Sequence, residues 1–428
     1  MKENIEIPGL ARVEGEGALY IRLKDGSINE IVLNIYEPPR FFEGFLQGRY
    51  FQQVPDITAR ICGICPVAYQ MSSVQALEHA LGVNISPETR ALRRLLYCAE
   101  YIESHALHIY MLQAPDIFGV ESVLALAEIA PEVVKKALRL KKIGNDLLKT
   151  IGGRSVHPVS SCVGGFYRWP DVEKMKALLP DLEWALQASL ETARWSATLP
   201  FPDFEADYQF VALTRPDEYA IYDGEVLDSD GRRMPVSEFE KNYIERHVPW
   251  SNALHSHTIE NMPYFVGPLA RLNLNYAQLR PVARQVMDEI GLQLPLRNPY
   301  KNLIARAIEL VEVCDVAIEL VNAYNPRVPS KASFTVKAGE GSGASEAPRG
   351  LLYHRYGVDD AGMIRFAKIV PPTAQNFARM EADLWALAPQ VIDLPQEQAS
   401  LAFEHLLRSY DPCISCATHF LKLKIERQ

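Results

Sequence analysis

The sequence predicts a mainly α protein with small β appendages, and three observations predict it. Long stretches carry apolar residues at three- and four-residue steps, the signature of helices with one buried face. Segments that read as strands are short and confined to the first forty residues, the 200–270 region and the neighbourhood of 351–369. No internal repeat or low-complexity tract is present. A chain of 428 residues corresponds to roughly three structural units and buries a large core without disulfides. Its 48% hydrophobic and 23% charged residues exclude a disordered or collagen-like chain. Lys and Arg number 44 against 53 Asp and Glu, a net charge of −9 that argues against nucleic acid as a partner. No run approaches the ~20 apolar residues of a membrane helix. The opening Met1-Lys2-Glu3-Asn4-Ile5-Glu6 sets charges where a signal peptide is apolar, so a cytoplasmic location is expected.

Along the chain, 18–23 and 28–35 flank Lys24-Asp25-Gly26 as a β-hairpin. Helical patterning begins near residue 65, and Ser86-Pro87-Glu88 has the form of an N-cap followed by proline at the first helical position. Leu92, Leu95, Leu96, Ala99, Ile102 and Leu107 then mark a helical face. Further helices are expected at about 121–151, 171–196, 276–292, 300–325, 373–388 and 395–409. The 200–270 stretch reads as a small β-containing insertion, the Gly/Ser/Ala-rich 339–347 as a loop, and 351–356 and 363–369 as strands. One body therefore divides into an N-terminal hairpin region (1–60), helices (61–199), the insertion (200–270), more helices (271–419) and a tail (420–428).

Seven cysteines make an odd, sparse set, unlike a secreted disulfide framework, yet four form two Cys-x-x-Cys pairs at opposite ends of the chain. One is Arg60-Ile61-Cys62-Gly63-Ile64-Cys65-Pro66. The other is Asp411-Pro412-Cys413-Ile414-Ser415-Cys416-Ala417-Thr418-His419. Each pair places two sulfurs on one side of a turn, and together they make a four-thiolate set for a soft-ligand metal. Zinc ribbons keep their pairs within ~15–20 residues, so a shared metal here needs the folded body to join the ends. Separate redox dithiols and plain core cysteines stay open on spacing alone.

The two pairs resemble the N- and C-terminal signatures of nickel–iron hydrogenase large subunits. The resemblance extends, in order, through Ala11-Arg12-Val13-Glu14-Gly15, Pro39-Arg40-Phe41-Phe42-Glu43, Glu103-Ser104-His105-Ala106-Leu107-His108 and Gly152-Gly153-Arg154-Ser155-Val156-His157-Pro158. It continues through Glu346-Ala347-Pro348-Arg349-Gly350 and Pro372-Thr373-Ala374-Gln375-Asn376. The wording Pro66-Val67-Ala68-Tyr69-Gln70 is most similar to the alpha subunits of cytoplasmic NAD(P)-linked hydrogenases and sulfhydrogenases. Coenzyme-F420-non-reducing hydrogenases are an alternative. An H2 sensor, a zinc-stabilised scaffold or a respiratory quinone-site subunit of the same fold are remoter ones.

The resemblance implies a central helical bundle of the large-subunit type and a set of site residues. Cys62 and Cys413 would be terminal nickel ligands, and Cys65 and Cys416 would bridge nickel to an iron carrying cyanide and carbon monoxide. Glu14, by itself a surface acid, becomes the first proton acceptor beside a terminal cysteine. Arg349, by itself a solvated arginine, becomes the cation over the open side of the metals, with Asp116 as its electrostatic partner. Pro372 and Thr373 would lie near the cyanides, Thr373 as a donor. Glu43, His419 and the carbonyl of Ile369 would hold magnesium.

His105 and His108 read as core histidines rather than ligands, His157 as a support, and Cys98, Cys162 and Cys314 as buried inert thiols. Gln70 stands where many relatives carry histidine and cannot relay a proton by titrating. The tail from Phe420 to Gln428 resembles an extension removed by a maturation protease after nickel insertion, with dedicated insertion proteins. The chain has neither further clustered cysteines nor a strand-to-helix Gly-x-Gly-x-x-Gly. The implied partners are therefore a small iron–sulfur subunit, together with flavin or NAD(P)-binding electron-transfer subunits.

Overall fold

The computed structural model describes residues 4–24 and 27–418. The expected hairpin is present. Gly17–Lys24 and Ser27–Ile35 pair antiparallel with Ile21 opposite Ile31, while the turn residues Asp25 and Gly26 lie outside the described residues. A third strand, Ile5–Ile7, joins its edge. Three residues give too little alternation to announce a strand.

The body is helical. Pro66–Leu81 is buried on almost every face, as a helix at the centre of a large core must be. Pro87–Leu107 begins as its sequence predicts, Ser86 Oγ accepting from the Thr89 N–H at 3.1 Å with Pro87 at the first position. It packs along Pro131–Gly152, closest at Gly144, where a Cβ would stand 2.7 Å from the Ala99 carbonyl oxygen. Asn302–Ala323 lies against both Pro87–Leu107 and Leu179–Ser196.

Two expected helices are each two. The 121–151 pattern splits into Val123–Ile129 and Pro131–Gly152, because Pro131 drives Ala130 out of helical geometry (φ −138°, ψ 60°). The 171–196 pattern splits into Val172–Lys176 and Leu179–Ser196, with Pro180 in the new first turn. The 276–292 helix contracts to Pro281–Glu289, while Pro372–Val391 and Gln396–Ser409 match expectation. The 200–270 region carries a three-stranded sheet (Val211–Thr214, Glu225–Asp228, Arg233–Met234) and a hairpin, Tyr243–His247 with Leu254–Thr258.

The expected loop at 339–347 is instead a strand, Gly339–Ala347, paired antiparallel with Gly350–Val358, which pairs in turn with Ile364–Val370. Its composition misleads for a packing reason. The strand lies directly on the Pro66–Leu81 helix, and a Cβ at Gly339 would stand 2.1 Å from the Ala80 carbonyl oxygen. At Gly341 it would stand 2.3 Å from the Ala76 oxygen, and at Gly343 2.6 Å from the Ala76 nitrogen. Here glycine marks close backbone approach rather than a loop. The sheet positions two parts of the site: its first hairpin ends in Pro348 and Arg349, and its last strand leads into Pro372.

Candidate metal centre

Cys62 follows the single helical turn Ala59–Ile61, and Cys65 is the residue before Pro66, where the central helix starts. Cys413 likewise precedes the short helix Ile414–Ala417, which carries Cys416. All four thiols are buried. Cys62 Sγ is 3.0 Å from Cys65 Sγ and 3.7 Å from Cys413 Sγ, and Cys413 Sγ is 2.7 Å from Cys416 Sγ. The sulfurs of Cys62, Cys413 and Cys416 all lie within 4.8 Å of one another. Two pairs from opposite ends of the chain thus form one cluster, which excludes independent dithiols.

The charge state of the cluster fits a soft cation. Hydrogen bonds from Cys413, Cys416 and Cys65 hold Cys62 well below the usual thiol range, while burial pushes Cys413 up. Four crowded buried sulfurs cannot all ionise by themselves, and a soft metal ion is the partner that permits it.

The loop carrying Glu14 is stitched to the C-terminal pair. The Ile414 N–H donates to the Glu14 carbonyl at 2.8 Å, and Glu14 N–H donates to the Pro412 carbonyl at 3.4 Å. Gly15, at φ +90°, permits this approach, since a Cβ there would stand 2.7 Å from Ile414 Cβ. The Glu14 carboxylate accepts from Cys413 Sγ at 3.0 Å and from the Ser415 N–H at 3.1 Å. Glu14 is only partly buried, so it links the buried thiols to the solvent side.

Arg349 is buried and lies over the cluster, its Nη1 3.9 Å from Cys65 Sγ. Its counter-ion corrects the expectation from sequence: Asp116 does not pair with it. Arg349 Nε donates to the Asp411 carbonyl at 2.9 Å and Nη2 to Asp411 Oδ1 at 3.1 Å. Arg306 adds a second cation 3.8 Å from Asp411 Oδ2, and together these arginines hold the Asp411 carboxyl low against its burial. Asp116 points elsewhere because both its oxygens are taken. Arg408 Nε and Nη2 each donate to it at 2.7 Å, and Arg12 donates as well. Asp116 thereby ties the Glu14 loop to the Gln396–Ser409 helix.

Thr373 Oγ1 accepts from the Cys413 N–H at 3.0 Å, and Pro372 opens the adjoining helix. Glu43 and Ile369 are brought together, the Ile369 N–H donating to Glu43 Oε1 at 2.8 Å with Lys368 Nζ 3.8 Å from the same oxygen. His419, the remaining residue of that expected set, and the 420–428 tail lie outside the described residues. His105 and His108 are buried, with Nε2 contacts to Glu309 and to the Arg408 carbonyl, and burial lowers them to about 4 and about 3. Gln70 donates to the Pro158 carbonyl at 2.9 Å, and His157 Nδ1 lies 2.9 Å from the Ala59 carbonyl. Cys98, Cys162 and Cys314 are buried apart from the cluster, and burial pushes Cys98 and Cys314 up to about 12.

Three groups at the site escape sequence reasoning. Asp411 stands two residues before Cys413 at φ +56°, a position legible only as an odd backbone once folded. Arg40 bridges the two cysteine loops, donating to the Ile61 carbonyl at 2.8 Å and to that of Ser415. Glu100 accepts the Val67 N–H at 2.6 Å and the Ala68 N–H at 3.2 Å, capping the helix that begins after Cys65. A basic residue far from both motifs and an acid on a helix face carry no local signal of such roles.

A helical body that folds its two chain ends into one buried four-thiol pocket, flanked by an acid and a guanidinium, has the donor set of a soft-metal-binding protein. Comparison with known proteins narrows this. The family model for nickel-dependent hydrogenase matches residues 40–145 and 230–419. The chain is 35% identical to the alpha subunit of sulfhydrogenase 1 from Pyrococcus furiosus, over 98% of each chain. It is 28% identical to the beta subunit of the NAD-reducing hydrogenase HoxS from Cupriavidus necator, over 98% of this chain and 96% of that one. Among solved structures, an NAD+-reducing [NiFe]-hydrogenase in the H2-reduced state matches with a TM-score of 0.85 and 26% identity, covering 97% of this chain and 99% of that one. The chain belongs to the nickel-dependent hydrogenase family, as a large subunit of that fold and an oxidoreductase acting on H2. Among the described residues, no helix is long and apolar enough to cross a membrane.

Proposed function

We propose that this chain is the catalytic subunit of a multi-subunit hydrogenase that splits H2 heterolytically and sends the electrons, through an iron–sulfur partner subunit, to NAD(P). The observation that carries the reading is the convergence of Cys62, Cys65, Cys413 and Cys416 under Arg349 and beside Glu14. Cys62, Cys65, Cys413 and Cys416 would hold nickel and an iron bearing cyanide and carbon monoxide, in a pocket that Pro372 and Thr373 adjoin. When bound, that metal pair supplies the Lewis-acid and redox chemistry that polarises H2.

The chain's own residues supply the rest. Cys413 Sγ holds a proton 3.0 Å from Glu14 Oε2, the hydrogen-bond reach a proton transfer needs. Glu14 passes it outward from its partly buried position. Arg349, fixed by Asp411, presents positive charge over the pocket where charge separates, and being preformed it needs no reorganisation. Burial keeps bulk water from competing for Cys413 and Arg349. Electrons leave through a partner, since Cys98, Cys162 and Cys314 are separate thiols. NAD(P) as acceptor is supported by the likeness to the NAD+-reducing enzyme. Magnesium on Glu43, His419 and the Ile369 carbonyl is supported by the adjacency of Glu43 and Ile369.

Elemental analysis and H2-dependent dye and NAD(P) reduction by the purified complex test the reading. Nickel, iron and H2-dependent reduction of both acceptors are expected. Cys62→Ser and Cys413→Ser should lose nickel and activity, whereas Cys98→Ala and Cys314→Ala should keep both. Zinc in place of nickel, or full nickel occupancy with activity in Cys413→Ser, would overturn it.

A further inference from the structure

Arg349 stands at the tip of a tight turn. Pro348 and Arg349 are the two residues between antiparallel strands whose last pair is Ala347 opposite Gly350. The tip is wedged against a neighbouring segment. A Cβ at Gly350 would stand 2.7 Å from Val266 Cγ2, and a Cβ at Gly267 would stand 2.9 Å from the Arg349 carbonyl oxygen. Just beyond Gly267 begins the helix Pro268–Asn275, and it carries Arg271.

Arg271 is fully buried, and all five of its N–H groups are used. Nε and Nη2 donate to the two oxygens of Glu309 at 2.7 and 2.8 Å, and Nη1 donates to Glu346 at 3.0 Å. The remaining two go to main chain: Nη1 to the Ala347 carbonyl at 3.0 Å and Nη2 to the Pro348 carbonyl at 3.0 Å. Those are the two residues immediately before Arg349. A guanidinium needed only as a core counter-ion would be complete with its carboxylates. Here its fork is divided between a fixed base and the hairpin tip. The base is itself anchored, Glu309 accepting from Tyr219 Oη at 2.7 Å and contacting His105 Nε2 at 2.8 Å. Tyr101 Oη reaches the same turn, donating to the Glu346 carbonyl at 3.0 Å and the Ala347 carbonyl at 3.4 Å.

We infer that Arg271, assisted by Tyr101, is a positioning residue for the H2 chemistry: it clamps the Ala347 and Pro348 carbonyls so that the Arg349 guanidinium stays over the thiol pocket. The inference rests on the role proposed above for Arg349. Lysine cannot substitute, because its ammonium has three donors and no planar fork. A small displacement of Arg349 is enough to matter, since about 1 Å of misplacement costs on the order of 100-fold in rate.

The test uses the whole enzyme complex carrying Arg349→Lys, Arg271→Lys or Tyr101→Phe, and each of the latter two combined with Arg349→Lys. Nickel per chain and thermal midpoint are measured beside kcat and KM for H2. Arg349→Lys should lower kcat by about 100-fold. Arg271→Lys should lower it by at least about 10-fold, and Tyr101→Phe by about fivefold, with nickel content and KM near wild type. In the double variants kcat should fall no further than in Arg349→Lys alone, because the clamp acts only through Arg349. Multiplying losses in the doubles, or wild-type kcat in nickel-replete Arg271→Lys and Tyr101→Phe, would overturn the inference. If Arg271→Lys does not accumulate, the Tyr101→Phe pair decides alone. A wild-type rate in Arg349→Lys would fail the Arg349 reading itself, and that variant reveals it separately.

Discussion

Glu14 holds Cys413 by side chain and main chain together. Its carboxylate accepts from the thiol at 3.0 Å, and its backbone bridges to the residues on both sides of that cysteine. The main-chain bridges fix the loop against the C-terminal pair, and the Ser415 N–H at 3.1 Å helps hold the carboxylate on the sulfur. Glu14→Gln keeps shape and acceptor oxygen but cannot ionise. The variant should retain nickel and iron, while H/D exchange and H2-driven dye reduction fall by roughly 100-fold or more. Wild-type rates on a metal-replete variant would show that protons leave by another group.

Asp116, which the sequence pairs with Arg349, and Asp411, which holds Arg349 in the fold, should respond differently. Asp116 neutralises Arg408 and Arg12 at a buried junction, with Asp116 and Arg408 side chains both 1% exposed. Asp116→Asn leaves those cations short of charge and should cost about 3 kcal/mol of stability, with kcat per nickel little changed. Asp411→Asn loosens Arg349 and should lower kcat per nickel at smaller cost in thermal midpoint. Reversal of these two patterns would return Asp116 to the catalytic set.

The glycine strand offers a packing test. Gly341→Ala puts a Cβ 2.3 Å from main-chain atoms of Ala76 and Ala80, and backbone cannot rotate aside. A loss of about 2–3 kcal/mol is expected. Gly44→Ala, where the added Cβ meets nothing within 4 Å, should be neutral. Denaturant unfolding of the two variants compares them, and equal stabilities would mean the strand sits further from the helix.

Acid should weaken the fold before it reaches the carboxylates. Burial lowers His405 to about 4, although Asp116 beside it pulls the other way, and His105 also lies at about 4. An unfolded histidine titrates near 6.5. Between those values the unfolded chain binds a proton that the folded one refuses, so stability is complete above about pH 6.5 and is lost as pH falls toward 4. Each such histidine contributes a slope of up to about 1.4 kcal/mol per pH unit. His405→Phe should make the fall in thermal midpoint between pH 6.5 and 4.5 shallower. An unchanged slope would mean that His405 already titrates normally in the folded protein.

Much was legible in the chain alone. Helical periodicity, the Ser86 cap and the N-terminal hairpin are local properties, set by residues within a few positions of one another. That each cysteine pair sets its two thiols side by side was legible for the same reason: two thiols three residues apart share a side whatever the rest of the chain does. What the tertiary structure decided is everything carried across the chain. It joined Cys62 to Cys413, gave Arg349 to Asp411 and Asp116 to Arg408, and set Arg40 between the cysteine loops. It also turned the glycine-rich 339–347 segment into a strand, because the surface that requires those glycines belongs to a helix more than two hundred residues earlier. Charge pairing and close packing depend on distance in space, and a sequence records only distance along the chain.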